Sequence, residues 1–132
     1  MFLQTQTKKW SEGPEMKIAR YYHGCTTIPS TEERNAQIIV VGGFSANPVE
    51  ILDVYSNSWF IATKTPSTGL FGNSPTASSS HEYRLYMTGG GGTKAIYGLN
   101  QSNVWVHVGN LTEERSLHTS LNVDKNVIPG CA

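Results

Sequence analysis

Charge is scarce in this sequence, and neither sign prevails. Ten Lys and Arg balance ten Asp and Glu over 132 residues, so the formal net charge is zero. That balance excludes a strongly basic surface, and neither nucleic acid nor an anionic membrane is an expected partner. Lys8, Lys9, Lys17 and Arg20 give the N-terminal stretch a mild basic bias, which reads as a solvated strand end. Cysteine is nearly absent. Cys25 and Cys131 stand far apart and form no C-x-x-C pair. They read as two free thiols in a reducing compartment, and the expected location is cytoplasmic. The start, MFLQTQTKKW, lacks the apolar core of a signal peptide. No apolar run approaches the roughly 18 residues that a membrane-spanning helix needs. The sequons at Asn100-Gln101-Ser102 and Asn110-Leu111-Thr112 read as chance in that setting. Helical periodicity is missing too. The best stretch, Leu111 to Leu121, is broken by Thr112, Ser116, Thr119 and Ser120.

Glycine and turn-forming residues are plentiful. Thirteen Gly, with many Ser, Thr and Asn, favour short strands joined by tight turns. Aromatic residues and β-branched runs argue against disorder.

Three markers recur with one period. Trp10, Trp59 and Trp105 are spaced by 49 and 46 residues. Gly42-Gly43 and Gly89-Gly90 are 47 apart, and the pairs Arg20/His23 and Arg115/His118 are 95 apart, close to two periods. Within each unit the same order returns. Ile38 to Val41 is a short apolar run stopped by Gly-Gly, as is Leu85 to Thr88. A polar or glycine-rich turn follows, Phe44 to Pro48 and Gly91 to Lys94. Further strands are predicted at Val49 to Asp53 and at Ala95 to Gly98. Turns at Ser56-Asn57-Ser58 and Gln101-Ser102-Asn103 then lead into strands opened by Trp59 and Trp105. Upstream of each Gly-Gly the sequence predicts one more strand, about 24–28 and about 77–80. Four short antiparallel strands per unit make an all-β protein. Such sheets bury both faces only by stacking on neighbours.

These residues resemble the kelch repeat family. IIVVGG followed by VEILDVYSNSW matches its unit from residue 38 to 59, and LYMTGG followed by AIYGLNQSNVW matches it from 85 to 105. Gly42, Gly43, Trp59, Gly89, Gly90 and Trp105 are the motif positions. Tyr97 stands at the family's Tyr, and Leu52 is taken as its counterpart in the first unit. The middle unit has Thr68-Gly69-Leu70 where the family carries Arg. The resemblance implies a kelch-type β-propeller fragment with four-stranded antiparallel blades. Residues 1–13 are expected as the last strand of a preceding blade, 14–66 and 67–111 as two blades, and 112–132 as the start of another, reaching Val127 to Gly130 where the next Gly-Gly is due. A propeller typically needs 4–8 blades. The expected consequences are a piece of a longer or assembled ring and self-association through open blade faces.

No catalytic residue, metal site or cofactor is expected. Gly89 to Lys94 looks like a phosphate-binding loop, but it lacks the G-x-x-x-x-G-K-[ST] order and a following helix. His23, His81, His107 and His118 have no ligand spacing. No G-x-S-x-G is present. Glu32-Glu33 and Glu113-Glu114 read as solvated loop acids beside Arg34 and Arg115. The resemblance implies protein recognition by blade loops, as in ubiquitin-ligase adaptors, with no enzyme activity. One loop set follows the Gly-Gly pairs, at Phe44, Ser45, Ala46, Asn47 and Lys94. The other joins the blades, at Arg20, Tyr21, Tyr22, Gly69, Leu70, Phe71 and Arg115. Arg20 and Arg115 match a family position that contacts acidic peptides, and a guanidinium suits bidentate carboxylate binding. The competing reading is that both arginines pin the loop between blades. Other readings are a piece of a galactose-oxidase-like enzyme or carbohydrate-binding propeller, and a truncated product with no function of its own.

Overall fold

The computed structural model describes residues 2–4, 6–44, 48–67 and 70–123. Ten strands run in chain order: β1 Phe2–Gln4, β2 Lys9–Ser11, β3 Gly24–Ile28, β4 Gln37–Val41, β5 Pro48–Asp53, β6 Ser58–Lys64, β7 Ser74–Ala77, β8 Tyr83–Thr88, β9 Ala95–Asn100 and β10 Trp105–Asn110. Among the described residues there is no helix, and so none long and apolar enough to cross a membrane. β3 to β6 form one four-stranded antiparallel meander, and β7 to β10 form a second. The two sheets lie within the expected units 14–66 and 67–111. The N-terminal stretch holds a hairpin, β1 with β2, where a single strand was expected.

The registers of the sheets superimpose at a shift of 47. Ile38 faces Leu52, and Leu85 faces Leu99; Ile39 faces Ile51, and Tyr86 faces Gly98. Leu52 then lies across from Trp59, Leu99 from Trp105, and Leu3 from Trp10. Two residues before each Trp the backbone turns to positive φ, at Lys8, Asn57 and Asn103. Only a residue tolerant of the left-handed region suits that turn, and Asn is the favoured non-glycine choice.

This register corrects two expectations. The counterpart of Tyr97 is Glu50, not Leu52, because Tyr97 faces Met87 as Glu50 faces Val40. The turn in the first sheet is one residue longer, so Glu50 stands nine residues before its Trp where Tyr97 stands eight before its own. The first strand of the second sheet is Ser74–Ala77, earlier than the expected 77–80. Its sequence, SPTA, has little strand propensity. It is a strand because it pairs with β8 and packs on β3.

The core lies between the sheets. Ile39, Val41, Val49 and Ile51 come from one face of the first sheet; Leu85, Met87 and Leu99 come from the second. The register assigns these to opposite faces of equivalent units. Ile39 and Val41 are equivalent to Tyr86 and Thr88, not to Leu85 and Met87. The sheets therefore stack front to back, as successive copies in a row do. Gly24 lies at the tightest approach. A Cβ there would come within 2.2 Å of the Pro75 ring, so only glycine lets β3 reach β7. The other face of the first sheet, with Val40 and Leu52, is buried too. The segment before β3 runs along it, with Trp59 Nε1 donating to the Pro14 carbonyl at 2.9 Å.

Candidate functional site

The Gly-Gly pairs end β4 and β8 at the same edge of the molecule. All four glycines have positive φ. Gly43 N donates to the Leu70 carbonyl at 3.3 Å, and Gly90 N donates to the Arg115 carbonyl at 2.7 Å. Each pair thus grips the loop leading into the next unit. A Cβ on Gly42 would lie 2.5 Å from the Leu70 oxygen, and one on Gly89 would lie 2.4 Å from the Arg115 oxygen. The loops also bond one another in series: Gly72 N donates to Tyr22 O at 2.7 Å, and Leu117 N donates to Gly72 O at 2.8 Å. Tyr22, Gly72 and Leu117 all have positive φ, so they are one repeated position.

The residue after each repeats as well: His23, Asn73 and His118. Asn73 donates through Nδ2 to the carbonyls of Leu70 (2.6 Å) and Val41 (3.1 Å), and His118 Nε2 shares a hydrogen bond with the Thr88 hydroxyl (2.9 Å). Val41 and Thr88 are equivalent. Asn73 escaped the sequence reading because it replaces the His at that position. Gly72 before it was the one sign in the sequence, since Tyr22 and Leu117 at the same place announce no positive φ.

Arg20 sits in the same loop system but does not face solvent. Its side chain and that of Glu50 are both 0% exposed and form an ion pair at 2.5 Å. Its Nη1 also donates to the carbonyls of Gly42 (2.9 Å) and Pro48 (2.8 Å). Glu50 accepts from the backbone N–H of Lys17 (2.6 Å) and Ile18 (3.2 Å). A guanidinium buried and bonded through both terminal nitrogens cannot reach a peptide, which is the geometry of the pinning alternative. Arg115, its counterpart two units on, has its side chain half exposed, with Glu113 3.9 Å away. Burial and the nearby Arg20 charge hold the His23 imidazole below its ordinary value of 6.5.

Above this bonded frame the two expected loop sets meet as one surface. Tyr21 stacks on Phe44 with ring centroids 5.2 Å apart, Tyr22 meets Tyr21 edge-on at 5.2 Å, and Phe71 lies 6.4 Å from Phe44. All four rings are exposed, from 37% at Phe71 to 57% at Tyr22. Phe44 N donates to Tyr21 O, and Gly91 N donates to Phe71 O, which fixes the loops that carry the rings. Lys94 is exposed, and its carbonyl accepts from Leu111 N. Ser45, Ala46, Asn47 and Gly69 lie outside the described residues, as do Cys131 and 124–132.

A separate cleft of about 710 Å³ runs between β3, β7 and residues 118–122. Ser and Thr hydroxyls dominate its walls, Cys25 opens onto it, and no Lys, Arg, Asp or Glu lines it. Many of the hydroxyls are already engaged, as in the Thr76–Ser120–Ser74 set at 2.6–3.0 Å. Among the described residues no three His, Cys, Asp or Glu side chains gather as metal ligands would. No family model matches this sequence, and no curated protein matches it.

Proposed function

We propose that the chain supplies two blades of a kelch-type β-propeller and binds a protein partner through the aromatic loop surface. The observation that carries the binding reading is the convergence of Tyr21, Tyr22, Phe44 and Phe71. Monomeric proteins rarely leave four rings exposed in one contiguous patch without using it. Tyr and Phe are the anchors that interfaces favour, and they cost little side-chain entropy. The front-to-back stacking of equivalent sheets and the serial bonding of the loops support the propeller reading. Binding without catalysis is the reading, since the patch holds no nucleophile with an adjacent base. Of the two arginines matched to acidic-peptide recognition, Arg115 alone has the exposure to serve.

The test is selection of a displayed peptide library against the purified chain. Selected peptides are expected to carry apolar anchors beside acidic residues. Tyr21→Ala with Phe44→Ala is expected to weaken them by about 2 kcal/mol or more, roughly thirtyfold. Arg115→Ala is expected to reduce the acidic preference alone. Selected peptides whose affinity ignores all three changes would overturn the assignment.

A further inference from the structure

The seam between the two sheets has another end, away from the Gly-Gly pairs. Gln37 opens β4 there, and Arg84, one period later, lies near the start of β8. Arg84 reaches across the seam. Its Nη2 donates to Gln37 Oε1, and its Nη1 donates to Asn103 Oδ1 in the β9–β10 turn. Arg34, in the β3–β4 loop, crosses in the other direction and donates to Gln101 Oε1 at 3.4 Å. Two guanidiniums from neighbouring sheets therefore meet the same turn.

Neither has a counter-charge among the described residues. Among the described residues the ion pairs are Arg20 with Glu50 and Arg115 with Glu113. Arg84 is only 6% exposed; its Nε and that of Arg34 are buried without a partner, as is the Nε of Arg20, so what sets the two apart from Arg20 is the missing carboxylate. Asp53, across from Gln37 in the register, is engaged by Asn35 and by the Ser56 N–H. Glu32 and Glu33 are exposed and make no ion pair with either arginine. Burial and the Arg34 charge both hold Arg84 below its ordinary value. A guanidinium nevertheless keeps its proton. The partners of Arg84, Gln37 and Asn103, and that of Arg34, Gln101, are amide dipoles and cancel no charge. Buried charge without a counter-ion is strongly unfavourable, and two like charges make it more so. Arg20 shows how this fold treats a buried arginine elsewhere: it supplies a carboxylate.

We propose that the Arg34–Arg84 seam binds a compact oxyanion of the phosphate class. A tetrahedral anion with several oxygens can accept from two guanidiniums at once, which singly charged chloride cannot match. Bound there, it ties the β3–β4 loop of one sheet to the β9–β10 turn of the next. The site lies apart from the aromatic surface and does not depend on it. Inorganic phosphate and the phosphoryl group of a larger ligand share this chemistry.

The experiment titrates inorganic phosphate into the whole chain at constant ionic strength, with chloride as the reference. Binding is read by phosphorus NMR and by the unfolding midpoint. The expected result is a saturable response to phosphate that chloride does not give. Arg34→Gln keeps an amide on an accessible loop. It is expected to weaken phosphate about tenfold or more, and to raise the unfolding midpoint of the phosphate-free chain by relieving repulsion. Arg84→Lys keeps the charge without the planar fork and is expected to lose the preference for phosphate over chloride. A second arm compares a phosphoserine peptide with its unphosphorylated form. Tighter binding than inorganic phosphate identifies a phosphoryl group on a larger ligand as the source; equal or weaker binding identifies the free ion. A phosphate response that never saturates, or that Arg34→Gln leaves unchanged, would overturn the site.

Discussion

At the scale of single residues, the ion pair of Arg20 and Glu50 is the most consequential contact in the first sheet. Both side chains are fully buried, and each has further hydrogen bonds to backbone. Removing one partner leaves an uncompensated charge in the interior. Glu50→Ala is expected to cost about 3–5 kcal/mol in denaturant unfolding, and it also strands the N–H groups of Lys17 and Ile18. The double change Arg20→Met with Glu50→Leu is expected to be more stable than either single change, because it removes both charges together. A double variant that simply sums the two losses would show that the pair is uncoupled. Arg20 was visible in the sequence as a repeat marker, and a pinning role was one of its two readings. Its partner was not visible. Glu50 lies 30 residues away within an alternating strand, where it looks like an outward-facing polar residue. The face it occupies is closed by the segment before β3, and no periodicity in β5 announces that cover. Glu50 also fills the place that Tyr97 fills in the second sheet, so the repeat hides it further.

At the scale of elements, the strands that stand out are those whose own residues favour them. β4, β5, β6, β8, β9 and β10 follow from β-branched and aromatic runs bounded by Gly or Asn turns. β7 does not, because packing on β3 and pairing with β8 make it a strand against its composition. The aromatic surface was half legible. Its residues were named, but in two loop sets, because sequence order cannot tell that both loops leave the same sheet edge. The loop position His23, Asn73, His118 carries a pH prediction. The folded pKa of His23 lies below its ordinary 6.5, so as pH falls the unfolded chain takes up the proton first. The contribution is full above that value and is lost as pH drops through and below it. The residue is only partly shielded from solvent, so the effect is small. Denaturant midpoints measured from about pH 7.5 down to 5 are expected to decline, and His23→Asn is expected to remove part of that decline. Asn is the natural choice, since Asn73 fills the equivalent place. An NMR titration of the His23 ring with a midpoint at or above 6.5 would refute the assignment.

At the scale of the whole molecule, front-to-back stacking dictates what the outermost sheet presents. The face of the first sheet that carries Ile39 and Ile51 is covered by the second sheet. The equivalent face of the second sheet carries Tyr86, Ile96 and Val106, by the registers of β8, β9 and β10. Along its inner edge lie the polar contacts of His118 and Ser120, which leave the outer strands uncovered. Tyr86 and Ile96 are half-buried, and Val106 is 38% exposed. β6 and β10 also end their sheets with unpaired edges. A net charge of zero supplies no repulsion between copies. The back face of the first sheet is already covered by the segment before β3, so the open face of the second sheet has no copy of the inner seam to join, and its expected partner is the same face of a second copy. Sedimentation or light scattering over a range of concentrations is expected to show mass rising above that of one chain. Val106→Lys with Ile96→Lys is expected to lower the association, because a charge on that face opposes its burial. The two changes lie outside the core between the sheets, so cooperative unfolding is expected to persist in the variant. One mass at every concentration, with a single cooperative calorimetric transition in the unaltered chain, would mean that the face is closed within one molecule and that the stacking stops at two sheets.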